Sequence, residues 1–147
     1  MAQSDILITS ALFAAMIGVG YWGFRLKRRQ EAKVEAWFFE MPSIRQLRTE
    51  GFSKVSDNQI RGQVLDYSVG CYYMTYRNKP EFYTCINTKL TKDWKGLRQF
   101  DKSYENEHIT VDQNFGFRQK IEGEIDYDRT TASFARLVEI AKTEEKE

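Results

Sequence analysis

The chain has 147 residues, of which 41% are hydrophobic, 29% charged and 14% aromatic. These values exclude a disordered or low-complexity protein and leave room for one folded domain beside a short terminal segment. Four of the 22 basic residues stand together, so residues 30–147 hold 18 basic and 20 acidic residues. A domain with that balance lacks the basic face of a nucleic-acid-binding module, and we expect no nucleic-acid partner.

The first predicted element is an uncharged run from Ile6 to Phe24, which has 19 residues. As a helix it would be about 28 Å long, close to the ~30 Å apolar thickness of a bilayer. The run therefore predicts a transmembrane helix within residues 1–24. A cleaved signal peptide would need basic residues before the run, where this chain has one acid and no base. A buried core helix would not normally end in a basic cluster.

Aromatic and basic residues follow at the end of this run. Positive charge is normally retained on the cytoplasmic side of a membrane, which predicts an N-terminus outside and a C-terminal domain in the cytoplasm or its organellar equivalent. The basic side chains would also contact anionic headgroups. The residues predicted at the membrane interface are Tyr21, Trp22, Arg25, Lys27, Arg28 and Arg29.

Small residues recur on one face of the same run, at Ala11, Ala14, Ala15 and Gly18. Faces of this kind let two helix backbones approach closely in lipid, which predicts packing against integral membrane subunits of a larger complex. The alternative is composition alone, because alanine and glycine are common in membrane spans.

Residues 25–42 contain no helix breaker before Pro42, so we expect the helix to continue as a juxtamembrane stalk and to end before this proline. Val34, Trp37, Phe38 and Met41 follow at helical spacing and make one apolar stripe. The stripe either docks on a partner subunit or packs beneath the protein's own domain.

Residues 43–147 are predicted to form a small, mostly antiparallel β domain. A short helix from Ser43 to Glu50 ends at Gly51, and alternation over Gln63–Thr75 and Phe82–Leu90 predicts a hairpin. Two further strands are expected around Ile109 and Val111 and over Phe115–Ile121, with a turn at Asp112–Asn114. Residues 129–142 change to helical period, with Asp128 or Thr130 as the cap. The fold class is α+β, with a C-terminal amphipathic helix.

The sequence offers no catalytic, cofactor or metal motif that we could identify. His108 stands without a second ligand at metal-binding spacing, and Cys71 and Cys85 are expected to be buried thiols. The alternation of Glu122, Glu124, Asp126 and Asp128 predicts an acidic row on one face of a strand, interpreted as a solvated face.

These features favour a non-catalytic, single-pass accessory subunit that stabilises or helps to assemble a larger membrane protein complex. The alternative is a membrane-tethered binding or sensor domain that recruits a soluble ligand or protein.

Overall fold

The computed structural model describes residues 2–88, 92–112 and 116–145, with side chains at all of these positions except residues 2–7 and 94. The chain divides into two compact units, one ending at Trp37 and the other beginning at Phe38. The second unit contains a six-stranded antiparallel sheet and several helices. The predicted α+β content and antiparallel sheet are confirmed.

Helix α1 spans Ala2–Glu40, and helix α2 follows almost directly at Pro42–Thr49. Met41 between them has ψ 133°, the extended conformation that a following proline imposes. Pro42 itself occupies the first turn of α2, where its missing N–H costs no hydrogen bond. The predicted end of the first helix before this proline is confirmed.

Among the residues that the structure describes, no helix combines the length and the apolar character needed to cross a membrane. Helix α1 has 39 residues, but residues 8–24 include three glycines as well as Thr9 and Ser10, and Arg25 follows at once. The side chains of Ile6 and Leu7 lie outside the described residues. The predicted transmembrane helix over Ile6–Phe24 is therefore wrong, as are the single-pass anchoring and the N-outside, cytoplasmic-domain orientation inferred from it.

The sheet has six strands in the spatial order β1-β2-β3-β4-β6-β5, and all neighbours are antiparallel. Helix α3 and a short 3₁₀ turn stand between β4 and β5, and helix α4 follows β6. The bounds are β1 Ser53–Ser56, β2 Gln59–Val64, β3 Tyr67–Tyr76, β4 Lys79–Asn87, α3 Trp94–Ser103, β5 Ile109–Asp112, β6 Gly116–Ile121 and α4 Tyr127–Glu144.

Strands β3 and β4 form the predicted hairpin, joined by the two residues Arg77 and Asn78. Both have positive φ, 48° and 63°, as in the two-residue turns whose twist matches that of the flanking strands. The first arm is shorter than predicted, because β2 ends at Val64 and Leu65, at φ 55°, turns the chain into β3. Leu90 of the second predicted arm lies outside the described residues.

One face of the sheet, the inner face, packs against α2, α4 and the last turn of α1. Strand alternation brings Val69, Ile86 and Phe117 to this face, where they share the core with Phe38 and Phe134. The apolar residues of α4 recur at helical spacing and are buried, as predicted for an amphipathic helix lying on a sheet.

The predicted acidic row is not a strand face, and this prediction is wrong. Strand β6 ends at Ile121, and Gly123 turns the chain at φ 79°. Asp126 then accepts a hydrogen bond from the N–H of Arg129 and caps α4, so the cap is neither Asp128 nor Thr130 as predicted. Asn114 and Phe115 of the last predicted turn and strand lie outside the described residues.

Candidate functional site

The face of the sheet opposite the helices, the outer face, is built from polar and aromatic side chains. Neighbouring residues of a strand point to opposite faces of the sheet. Strands β3 and β4 direct Cys71 and Thr84 to the inner face and therefore direct Tyr72 and Tyr83 to the outer face. Arg118 stands on the outer face of β6, in register with Cys85.

A tyrosine pair and an arginine form the centre of this face. Tyr72 and Tyr83 lie directly opposite each other, with ring centroids 5.3 Å apart and an interplanar angle of 14°. The Arg118 guanidinium carbon lies 4.6 Å from the Tyr83 ring centroid, and its Nη1 donates to the Tyr72 hydroxyl at 2.8 Å. The Tyr72 hydroxyl donates to Asp112 Oδ2 at 3.0 Å. Burial raises the pKa of Tyr72, so this hydroxyl keeps its proton and the network holds its geometry.

A second, more exposed cluster lies beside it. Lys120 Nζ donates to Glu81 Oε1 at 2.9 Å, and the Tyr83 hydroxyl donates to Glu81 Oε2 at 2.7 Å. The hydrogen bond from Lys120 holds the pKa of Glu81 below its usual range. The lysine is thereby fixed on the outer face of β6, two residues along the strand from Arg118.

Helix α3 stands next to these strands and is attached to the sheet edge. Asp101 Oδ1 accepts a hydrogen bond from the backbone N–H of Val111 in β5, at 2.9 Å. The Phe100 ring packs against Phe117, with ring centroids 5.3 Å apart. Asp93 accepts from the N–H of Gly96 at 2.8 Å and caps the start of the helix.

Between α3 and the outer face lies an open cleft of about 550 Å³, the α3–β6 cleft. Its charged lining consists of Arg98 and Lys102 from α3, Arg118 and Lys120 from β6, and the acids Asp101 and Glu105. Tyr83, His108 and Thr110 complete the lining. Cations stand on both walls, and those of β6 are paired with the acids Asp112 and Glu81. Each lining residue carries a polar group, but carbon atoms make up most of the exposed lining surface.

His108 lies at one end of this cleft, in the left-handed conformation with φ 56°. Its Nε2 is 3.8 Å from Glu122 Oε2, too far for a hydrogen bond. Over the described ranges of the chain, no three histidine, cysteine or acidic side chains are grouped as metal ligands.

The two cysteines are free thiols buried on opposite faces of the sheet. Cys71 faces Thr84 in the inner core, whereas Cys85 lies across from Gly70 on the outer face. Burial raises the pKa of both thiols, that of Cys85 to about 12. Both are therefore protonated at neutral pH and poorly suited to act as nucleophiles.

The predicted helix-packing and interface residues all lie on α1, within the first unit. Ten large apolar side chains of this helix are 41–74% exposed: Ile8, Leu12, Phe13, Met16, Ile17, Val19, Tyr21, Trp22, Phe24 and Leu26. At 100° per residue they occupy about 260° of the helix circumference, and Ala11, Ala14 and Gly18 occupy the remaining sector, with Ala15 at its border. The small residues thus form one narrow face of an otherwise apolar cylinder.

The basic cluster at the end of this run makes contacts within α1. Arg25 lies over the Tyr21 ring at 5.7 Å and Arg28 over the Phe24 ring at 4.7 Å. Lys27 Nζ is 3.9 Å from Glu31 Oε1, one turn along the helix. Arg29 completes the cluster and is exposed.

The predicted docking stripe is divided between core and surface. Phe38 and Met41 are 0% and 8% exposed and belong to the domain's own core. Val34 is half-buried, and Trp37 is 38% exposed. Two of the four residues are thus not on the surface of the domain, and a docking role for them would require the core to open.

Sequence reasoning missed the α3–β6 cleft. Its walls come from residues about 20 positions apart, Arg98 and Lys102 on one side and Arg118 and Lys120 on the other. The i, i+4 spacing of the first pair and the alternation of the second were visible, but only the attachment of α3 to β5 brings them together. No protein-family model, no curated protein and no solved structure matches this chain.

Proposed function

We propose that the protein is a non-catalytic accessory subunit that joins a larger protein assembly through the N-terminal part of α1. One observation carries the proposal: residues 8–26 of this helix present ten large apolar side chains around most of its circumference. A helix of this composition is normally buried on all sides. Other polypeptide chains that surround the helix would supply that burial.

Burial of this exposed apolar surface would supply a large part of the free energy of association. Fully burying one large apolar side chain contributes about 1.5–3 kcal/mol. Because these side chains are already partly covered by their own helix, ten of them contribute on the order of 10 kcal/mol. That gain is comparable with the estimated cost of about 4–15 kcal/mol for immobilising two proteins, so additional contacts would determine the final affinity.

The small-residue face predicts where a partner helix approaches most closely. The distance between packed helix axes depends on the side chains at the contact and is shortest where these are small. A Cβ atom built at Gly18 meets nothing within 4 Å in this chain, and the same holds at Gly20. About 160° of helix rotation separates the two positions, so Gly20 lies on the side of the large residues.

The test compares Gly18→Leu with Gly20→Leu in the full chain, expressed with an affinity tag in the cells from which it comes. We expect the wild type to co-purify in fixed stoichiometry with defined subunits, as a particle much larger than 17.3 kDa. Gly18→Leu should abolish that particle, whereas Gly20→Leu should retain it. Both variants should keep the wild-type circular dichroism, because neither new side chain meets an atom of the chain within Cβ reach.

Three results would contradict the proposal. Purification of the wild type as a monomer or homodimer would rule out a larger assembly. Recovery of the chain with phospholipid but without any stoichiometric protein would show that the apolar surface is covered by something other than subunits. Equal loss of the particle in both variants would show that the small-residue face has no special role.

A further inference from the structure

We infer that the subunit surrounding α1 presents acidic side chains to three arginines at the end of the apolar segment, Arg25, Arg28 and Arg29. These three residues form the arginine face of the helix. The inference rests on the proposed subunit role of α1 and deepens it, because it names the chemistry by which the partner is recognised.

The arginine face lies on one side of the helix. At 100° per residue, Arg25, Arg28 and Arg29 fall within about 100° of the circumference, and Lys27 lies about 100° or more from each of them. The five residues from 25 to 29 include four basic residues and no acid. Positive charge is therefore concentrated on this face and is not interspersed with acids.

The chain does not neutralise this charge within the part that the structure describes. Lys27 Nζ is 3.9 Å from Glu31 Oε1, whereas none of the three guanidinium groups forms an ion pair with a described carboxylate. The cations of β6 differ in this respect, because Arg118 and Lys120 are paired with acids of the sheet. The arginine face is thus a positive surface that requires counter-charges from outside the chain if it is covered.

Two of these arginines lie against rings that the partner has to cover. The guanidinium carbon of Arg25 is 5.7 Å from the Tyr21 ring centroid, and that of Arg28 is 4.7 Å from the Phe24 ring centroid. Tyr21 and Phe24 are 61% and 54% exposed and belong to the apolar segment. A subunit that buries these rings therefore also approaches the two guanidinium groups.

Acidic side chains on the partner follow from the cost of removing a cation from water. A charged group that loses its hydration is strongly unfavourable unless an opposite charge replaces the water. Arginine can donate two parallel hydrogen bonds to one carboxylate, which also fixes the orientation of the partner. The phosphates of a nucleic acid would satisfy the same charge, but a phosphate backbone does not provide the apolar surface needed to cover ten large apolar side chains.

The first experiment measures competition for the particle. The wild type and a charge-reversed variant, carrying different tags, are expressed together in the cells from which the chain comes. Arg25→Glu combined with Arg28→Glu should lower the ratio of variant to wild type in the particle at least about tenfold relative to the extract, because attraction becomes repulsion. The matched control is Lys27→Glu combined with Lys33→Glu, which changes the net charge equally at exposed positions outside the arginine face. Its ratio should fall by no more than about threefold, since those charges are screened by solvent and salt.

The second experiment identifies the acid that contacts the arginine face. Arg25→Lys keeps the positive charge and introduces an amine that a carbodiimide couples to a contacting carboxylate. No acidic residue stands within one helical turn of position 25, so coupling to a neighbour on the same helix cannot account for a product there. Mass spectrometry should find position 25 joined to an aspartate or glutamate of a co-purified subunit. Coupling of Lys27 to Glu31 in the same sample shows that the reaction has worked.

The inference is overturned if the two double variants are retained equally in the particle. It is equally overturned if Lys27 couples to Glu31 while position 25 couples to no other subunit. Loss of the particle on nuclease treatment, or recovery of phospholipid in place of a coupled acidic residue, would assign the arginine face to phosphate groups and would also overturn it. Absence of any particle in the wild type defeats the proposed function itself, whereas a particle that is indifferent to the arginine face defeats this inference alone.

Discussion

Replacement of Phe38 by alanine tests whether the last turn of α1 is part of the domain core. The side chain is 0% exposed, and its ring centroid lies 5.1 Å from that of Tyr73 and 5.9 Å from that of Phe82. Truncating a fully buried phenylalanine removes its transfer free energy and leaves a cavity, at a cost of about 3–5 kcal/mol. Ring contacts of this kind contribute about 0.5–1.5 kcal/mol each, which places the expected loss in the upper half of that range.

The neighbouring position provides the matched control. Trp37 is on the same helix but is 38% exposed, so Trp37→Ala should cost at most about 1.5 kcal/mol. The measurement is urea unfolding of the full chain followed by near-ultraviolet circular dichroism, which reports aromatic packing. With a urea dependence of about 1.5 kcal/mol per molar, Phe38→Ala should lower the midpoint by about 3 M and Trp37→Ala by about 1 M or less.

A loss of 4 kcal/mol approaches the whole stability of a small domain, about 5–15 kcal/mol, so Phe38→Ala could fail to fold. Phe38→Leu keeps most of the apolar volume and should cost only about 1–1.5 kcal/mol. Equal midpoint shifts for Trp37→Ala and Phe38→Ala, or no shift for Phe38→Leu and Phe38→Ala, would refute the assignment of this residue to the core.

Three further predictions concern the sheet and its last helix. Asp126→Ala should lower the free energy of unfolding by about 1 kcal/mol because it removes the cap of α4, whereas Asp128→Ala should change it by less than about 0.5 kcal/mol, as urea unfolding would show. Gly70→Ala should lower the melting temperature measured by calorimetry, because its Cβ would stand 2.6 Å from the backbone oxygen of the neighbouring strand. A Gly70→Ala variant with the same melting temperature as the wild type would refute that contact. The raised pKa values of Cys71 and Cys85 imply stability that is complete below pH 9 and declines as pH rises towards the folded values, since the unfolded thiols ionise first. Neither thiol should react with a disulfide reagent at neutral pH until the chain is unfolded, and rapid reaction in the native state would count against their burial.

Elements with local signals were predicted well from the sequence. The hairpin of β3 and β4 follows from strict alternation around a turn, and α4 follows from its helical period. The break before Pro42 follows from proline sterics alone. In each case the deciding interactions lie within a few residues of one another.

Features that depend on distant residues were not predicted. Strands β1 and β2 carry mainly polar side chains; β2 is placed by its pairing with β3, and β1 by its pairing with β2. The acidic alternation after Ile121 resembled a strand, but Gly123 and the cap at Asp126 end the extended backbone there. The apolar run of α1 was misread because its length suggested a span, whereas its glycines and hydroxyl residues lower its hydropathy.

The attachment of α3 to β5 limits the number of strands that the sheet can have. The outward N–H groups of β5 at Ile109 and Val111 are already bonded to the Tyr104 carbonyl and to Asp101. At the other margin, β1 is only four residues long, carries Lys54 and shifts register before Ser56. Short, charged and irregular edges resist pairing with another strand. Neither margin therefore offers a template for adding a strand from another molecule, which protects the domain from edge-to-edge aggregation.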